Sequence, residues 1–414
     1  MVRYGIVGVG GFAATWLHSL QAVETKGVAT IRAAVVRNPA KYRPQVEELR
    51  ERGCTIYTSL EEMLDGEQGR IDVVGVPTGI PYHVPMAIAA MEAGYNVLIE
   101  KPICATVQKV SELKAAETRT ARWCAVGYQW LYSPTIQWLK TRAAEGDIGQ
   151  ILKGKTLIGW PRASGYYARN AWAGRLRFDE RWVLDGPATN ATAHYLTNLL
   201  YLCSAQGTES ARIVRVRGEL YRAKPIESYD TSAIEVELAS GATLLHLASH
   251  SLRASLEPEM DLIAEKASIH WQASNDQATI LYHDGRSESF VNPDPERNHQ
   301  RLFEGLARVV HGEAERPLCG LAEGAPHVLA IDLAFESAQG IVPIPQTQTI
   351  RDIGPDRSEL VAVRGMEEAL QTAYAASVSF SRINAPWAVH TEPVDADGYV
   401  HFPRDARLAA NLGL

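Results

Sequence analysis

Cysteine is sparse in this chain. The five residues, Cys54, Cys104, Cys124, Cys203 and Cys319, are odd in number and scattered, with no C-x-x-C pair. That spacing excludes a disulfide framework and a zinc knuckle, so no metal is expected and a reducing, cytoplasmic setting fits best. Positive charge is not in excess either: 41 Lys and Arg against 48 Asp and Glu leave a formal charge of −7. A chain of that sign is not built to hold a polyanion, which argues against a nucleic-acid partner. No apolar run approaches the roughly 20 residues that span a bilayer, so no membrane partner is expected. Residue 2 already lies close to the first apolar run, which leaves no signal peptide before the fold. Internal repeats and low-complexity segments are also missing.

The 414 residues are 46% hydrophobic and 21% charged, the balance of a globular protein, and too many for one ordinary core. Glycine is concentrated at the start, where Tyr4-Gly5-Ile6-Val7 leads into Gly8-Val9-Gly10-Gly11-Phe12-Ala13. A strand that turns into a helix at G-x-G-x-x-A points several backbone N–H groups and a helix N-terminus at one place. That arrangement suits a diphosphate. The alternation that follows supplies the context. Helix is expected over about 14–22, 44–52 and 84–93, and buried strand over 31–36, 71–76 and 96–99, which implies a parallel sheet with helices on both faces.

After about residue 127 the pattern changes. Longer alternating strands are expected at 213–221, 232–238, 243–249 and 267–271, with turns at Ser240-Gly241 and Asp284-Gly285. Helices are expected at 191–202, 300–311 and 328–340. A tail after Pro345 carries its own helix at 358–377 and reads as a packed extension that reaches towards a partner subunit.

The stretch DVVGVPTGIPYHVPMAIAAMEAGYNVLIEKPICATVQKVSEL (Asp72–Leu113) resembles the Gfo/Idh/MocA family of oxidoreductases. Three features carry the resemblance in order: the amino-terminal G-x-G-x-x-A, the Thr78…His83 turn, and Glu100-Lys101-Pro102. GDIGQI at Gly146–Ile151 matches the segment leading into that family's second domain. The resemblance covers about residues 2–345 and implies an α/β fold: an N-terminal Rossmann dinucleotide-binding domain (1–127) and a C-terminal α/β domain with a large open, mostly antiparallel sheet (128–345); the extension (346–414) lies outside it. It also implies a homo-oligomer, dimer or tetramer, formed through the open sheets.

By the same resemblance, Gly8, Gly10, Gly11, Phe12, Ala13, Pro77, Thr78, His83, Glu100, Lys101, Pro102 and Gln129 hold the cofactor, and Lys101 also acts on the reacting hydroxyl. The family's second signature maps onto VLDGPATNATAHYL. His194 holds its histidine position as second catalytic residue, but Asn190 stands where an aspartate is expected and Thr192 where a glycine is. Residues 190 and 194 are i, i+4 on the expected helix and so share a face. Asp185 either takes over the carboxylate role or caps the helix.

Between these motifs Trp160, Arg162, Tyr166, Tyr167, Arg169, Asn170 and Trp172 form a dense aromatic and polar set. Rings stack on sugar faces, while Arg and Asn bond hydroxyls and carboxylates, so contact with a carbohydrate substrate is expected; a subunit contact is the alternative. His250 and Asp230-Thr231 are weaker candidates of the same kind. For the cofactor, NAD-selective folds end the second strand with an acid, whereas here Arg37, Asn38 and Lys41 follow it. That favours NADP over NAD. The expected function is NAD(P)-dependent hydride transfer at a hydroxyl or keto carbon of a sugar, cyclitol or sugar acid. Glycoside cleavage by transient oxidation, or a non-catalytic NAD(P)-binding sensor, are the alternatives.

Overall fold

The computed structural model describes residues 1–204, 210–354 and 357–413. They form two compact units. The first comprises Met1–Cys104, Lys109–Ser133 and Asp294–Gly324, and the second Ala105–Gln108, Pro134–Pro293 and Ala325–Leu414.

In the first unit, strands and helices alternate as β1 (Val2–Val7), α1 (Ala13–Glu24), β2 (Ala29–Val35), α2 (Arg43–Glu51), β3 (Thr55–Tyr57), α3 (Leu60–Gly66), β4 (Val73–Val76), α4 (Ile80–Glu92), β5 (Asn96–Ile99), α5 (Val107–Thr120) and β6 (Cys124–Val126). The sheet order is β3-β2-β1-β4-β5-β6, and every pairing is parallel. The order reverses between β1 and β4, and ligands bind such sheets outside the strand C-termini at that crevice. The strands are near-continuous apolar runs because both faces are covered. Asp294–Gly324, expected with residues 128–345, clusters with this unit. The reason is visible at Phe303, whose ring meets Tyr4 and Trp16 edge-on at 5.5 and 5.7 Å.

The second unit begins with α6 (Pro134–Ala144), β7 (Ile151–Gly159), the short α7 (Ser164–Ala168), a small hairpin β8 (Arg177–Phe178) and β9 (Arg181–Trp182), and α8 (Ala193–Leu202). Seven strands follow: β10 (Ile213–Arg222), β11 (Thr231–Leu238), β12 (Thr243–Ser249), β13 (Leu256–Ala264), β14 (Ala267–Gln272), β15 (Gln277–Tyr282) and β16 (Ser287–Val291). After them in the chain comes α9 (Asn298–Val310), which belongs to the first unit, and then α10 (Leu321–Ala338), β17 (Val342–Pro343), β18 (Thr349–Ile353), β19 (Glu359–Val363), α11 (Met366–Ala376), β20 (Val394–Asp395) and α12 (Ala406–Asn411). The large sheet has ten strands in the order β16-β15-β14-β13-β7-β12-β11-β10-β17, with β20 also on β10. Its pairings are antiparallel except β7 with β12 and β10 with β17. This is a Rossmann domain followed by an α/β domain on a large, mostly antiparallel sheet.

One expectation about the tail is corrected. Ser358–Val363 is not helix: β18 and β19 pair as a hairpin, and the helix starts only at Met366. The apolar, β-branched run Leu360-Val361-Ala362-Val363 favours strand over helix. The rest of the tail packs on the large sheet as an extension. Met366, Leu370, Ala373, Phe380 and Trp387 bury against Leu157, Tyr221, Leu245 and Leu247 in one apolar cluster. Tyr221 and Trp387 meet edge-on at 4.8 Å. No helix among the described residues is long and apolar enough to cross a membrane.

Candidate active site

The glycine-rich turn sits where β1 hands over to α1, at the sheet's switch point. Gly8 takes φ +96° and Gly11 φ +60°, both left-handed values that a side chain would strain. Gly10 is small for another reason: a Cβ there would lie 2.5 Å from the ring of Tyr42. Tyr42 was not legible as a site residue, because its place against Gly10 depends on how the chain returns after β2. Phe12 is 44% exposed while Ala13 is buried under the helix. The first turn of α1 has no acidic residue and no side-chain cap. The Ala14 and Thr15 N–H groups already bond the Gly11 and Phe12 carbonyls, so the backbone of the turn and the positive dipole end of α1 are what suit an anion. After β2, Arg37, Asn38 and Lys41 are all exposed, and Lys41 Nζ lies 5.2 Å from the Tyr42 ring centre.

The loops after β4 and β5 are tied together by His83. The ring is fully buried, with Nδ1 2.9 Å from the Pro102 carbonyl and Nε2 3.0 Å from that of Thr78. Burial pushes its pKa down, against the pull of those carbonyls. Both nitrogens are spent on backbone, so His83 serves the site by fixing the loops that carry Thr78 and Pro102; Pro77, at the end of β4, is buried beside them.

Glu100 is also buried. It accepts from Trp16 Nε1 at 3.0 Å and from the Lys101 N–H at 2.9 Å. Burial raises its pKa to about 7, although the Lys101 charge, Trp16 and the backbone N–H oppose this. Lys101 itself is half-buried and joined to Pro102 by a cis peptide. Two polar atoms nearby in the sequence motifs, Thr78 Oγ1 and Gln129 Oε1, are buried without a hydrogen-bond partner. Such orphans are what a ligand's amide or hydroxyl groups would satisfy, and with the uncapped helix and the glycine turn they fit a dinucleotide. His299 of α9 was missed in the sequence. Its ring lies 5.8 Å from that of Phe12, and burial, with the Lys101 charge, lowers its pKa to about 4.

In the second unit, the helix expected over 191–202 starts at Ala193, and Pro187–Ala191 form a π turn. Asn190 and His194 are therefore not on one continuous helix face. Single π turns are frequent at functional sites, and this one is clamped from all sides. Thr189 bonds the Tyr229 hydroxyl through N–H and Oγ1 at 2.9 and 2.8 Å. The Ala188 carbonyl lies 2.9 Å from His327 Nε2. Thr192, in the glycine position, donates to the Pro187 carbonyl and contacts His246 Nε2, both at 3.0 Å. His246 reaches Thr156 on β7 with its other nitrogen, and burial drives its pKa down to about 3. Asn190 donates from Nδ2 to Asp185 Oδ1 at 2.8 Å. The carboxylate absent from position 190 thus stands beside it, from Asp185, whose second oxygen accepts from the Gly174 N–H at 2.7 Å. Asp185, Asn190 and His194 are all buried.

The loop after β7 runs on along β12, with Trp160 and Arg162 N–H groups bonding the Ser249 and His250 carbonyls. Trp160 meets Tyr195 edge-on at 6.0 Å, and Tyr166 meets Tyr167 and His250 at 5.1 and 5.6 Å. Both Arg162 and Arg169 lie over the Tyr166 ring, and Arg169 is also 5.7 Å from the Trp172 ring centre. Asn170 differs from the rest: its Oδ1 accepts from the Trp172 and Ala173 N–H groups, which shapes the loop. Asp230 is likewise structural, with Oδ2 accepting from Ala223 and Lys224 N–H and Oδ1 from Thr231. Among the described residues no group of three His, Cys, Asp or Glu could hold a metal.

Comparison with known proteins bears on both units. Residues 2–128 match a family model described as an oxidoreductase family with an NAD-binding Rossmann fold. A Shewanella sp. (strain ANA-3) glycosyl hydrolase family 109 protein 1 is 29% identical over 163 residues, 37% of this chain and 34% of that protein. An inositol 2-dehydrogenase 2 of Saccharopolyspora erythraea is 27% identical over 198 residues, covering 47% and 57% of the two chains. The chain thus matches only about a third of the length of the first of these relatives. The solved WlbA dehydrogenase of Bordetella pertussis, in complex with NADH and UDP-GlcNAcA, superposes with a TM-score of 0.67 and 22% identity over 82% of this chain and 96% of that one. That likeness shows the fold.

Proposed function

Because residues 2–128 belong to the Gfo/Idh/MocA oxidoreductase family, we propose that the chain is a nicotinamide-dependent dehydrogenase or reductase acting on a CH–OH group of a sugar, cyclitol or sugar acid. The observation that carries this reading is the uncapped α1 behind a glycine turn at the switch point of the parallel sheet, with Lys101 at the end of the strand two places away. The nicotinamide, when bound, supplies the carbon that takes or returns hydride. The chain's own groups do the rest. Backbone N–H groups of the turn hold the diphosphate, and Thr78 Oγ1 and Gln129 Oε1 are available to bond the cofactor.

Lys101 hydrogen-bonds the reacting hydroxyl and stabilises the oxygen as its proton leaves. By the resemblance, His194 of the second unit is proposed as the other catalytic residue, with the Asp185–Asn190 pair as a substrate-binding group. The exposed Arg37 and Lys41, with no acidic residue between Val36 and Val46, support NADP as the preferred form. The chain is read as an intracellular homo-oligomer. The second reading, glycoside cleavage through transient oxidation, is favoured by the family 109 relatives. A panel of sugars, cyclitols and uronates with both cofactors separates the two. Net change in reduced-nicotinamide absorbance supports the first, and release of the aglycone from aryl glycosides without such change supports the second. Neither response on any substrate would leave cofactor binding without catalysis and defeat both.

A further inference from the structure

The aromatic loop of the second unit gathers positive charge that forms no ion pair among the described residues. Arg162 and Arg169 lie with their guanidinium carbons 4.7 and 3.6 Å from the centre of one ring, that of Tyr166. The same ring is 5.6 Å from His250. His250 is 2% exposed; its Nδ1 meets the Tyr167 hydroxyl at 3.2 Å, and its Nε2 is buried with no partner. Arg162 Nε is buried without a partner as well. Lys224 is the third cation. It is buried, and its Nζ is anchored at 2.5 Å to the carbonyl of Val361, on the β18–β19 hairpin of the tail. That hairpin also bonds the loop itself, through the Glu359 N–H to Ser164 Oγ.

None of these three cations forms an ion pair among the described residues, whereas many surface arginines do. The two buried acids of the neighbourhood are committed elsewhere: Asp230 to backbone N–H groups and Thr231, Asp185 to Gly174 and Asn190. Burial lowers the pKa of Lys224 to about 8, with Asp230 and Glu359 opposing. Burial also pushes His250 well below its usual range, and Arg162, Lys224 and Arg169 push it further, so the ring is neutral at ordinary pH and one nitrogen is free to accept or donate according to tautomer.

We propose that Arg162, Arg169, Lys224 and His250 form a carboxylate subsite, and that the substrate is therefore an acidic sugar. Guanidinium forks match a planar carboxylate bidentately, and rings beneath them hold the forks in place while offering a face to the sugar. His250 Nε2 then bonds the carboxylate or the adjoining hydroxyl. The extension acts as part of the specificity apparatus, since its Val361 carbonyl fixes Lys224.

The proposal rests on the carbohydrate reading above, and its test is a binding measurement so that the two can fail separately. Calorimetric titration of the full chain, with and without NADP, would use D-glucuronate, D-glucose and glucose 6-phosphate as probes. Bonds to a charged partner predict at least about tenfold tighter binding of glucuronate than of glucose, in both cofactor states. Arg162→Gln and Arg169→Gln should each remove most of that preference while leaving the melting temperature near wild type. Lys224→Met should reduce the preference as well. Equal affinity for glucuronate and glucose, no saturable glucuronate binding, tighter binding of glucose 6-phosphate, or a preference unchanged in both arginine variants would each overturn the subsite. If glucuronate binds as expected but no acid changes the nicotinamide absorbance, the subsite stands and the oxidoreductase reading falls.

Discussion

At the scale of residues, Lys101, Glu100 and Arg37 each make a separable prediction. Lys101→Ala should lower turnover about 10²–10⁴-fold, the usual cost of one positioned proton-transfer group, while NAD(P) binding measured by fluorescence stays near wild type. A near-normal rate would make the lysine a bystander. Glu100 has a folded pKa of about 7, above its ordinary value of 4.5. Between those values the folded chain holds a proton that the unfolded chain has lost, so this group makes stability fall as pH rises through that window and level off above it. Glu100→Gln should therefore raise the melting temperature more at about pH 8 than at about pH 5. An equal effect at both would mean that Glu100 is charged throughout.

Arg37→Asp removes a phosphate partner and adds an acceptor for the ribose hydroxyl, and should shift the NADP-to-NAD affinity ratio by more than about tenfold. An unchanged ratio would place residue 37 away from the ribose. The glycines, Lys101 and Thr78 were legible because a backbone conformation or a motif demands them. Tyr42 and His299 were not: each matters through a neighbour that only the fold brings to it, Gly10 for Tyr42 and Phe12 for His299.

Among the elements, the π turn at Pro187–Ala191 is the feature with most consequence. Its four clamps, Tyr229, His246, His327 and the Asp185–Asn190 pair, explain why Thr192 is tolerated where the resemblance expects glycine: its hydroxyl is bonded on both sides. Tyr229→Phe should cost about 1–3 kcal/mol of stability by chemical denaturation, because it leaves the Thr189 N–H and hydroxyl buried without their partner. A loss under half of that would show that the turn holds without this clamp. β1, β2, β4 and β5 of the parallel sheet were legible as apolar runs between helical periods, whereas β3 and β6, three residues each, were too short to show a pattern. β13 was not legible either, since Pro258 and Pro-adjacent charges break its alternation; the structure absorbs the proline at a register shift between Leu256 and Glu259. The π turn was read as ordinary helix because its residues differ from an α-helix only in where the hydrogen bonds close.

For the molecule as a whole, the tail is a structural layer on the large sheet. Leu370 is fully buried in the cluster it forms with Leu245, Leu247 and Tyr221. Leu370→Ala should cost about 2–5 kcal/mol, the range for a leucine truncated in a packed core, and the loss should appear in the same unfolding transition as the sheet. A change within experimental error would mean that the tail is only loosely laid on. The measurement that tests the central claim most directly is stopped-flow absorbance of the reduced nicotinamide, with the full chain, NADP and the sugar acid that binds best. The account predicts a saturable hydride-transfer phase in wild type that is nearly abolished by Lys101→Ala while both ligands still bind. The same phase at the same rate in Lys101→Ala, or no phase in wild type with every acid and neutral sugar tried, would contradict it.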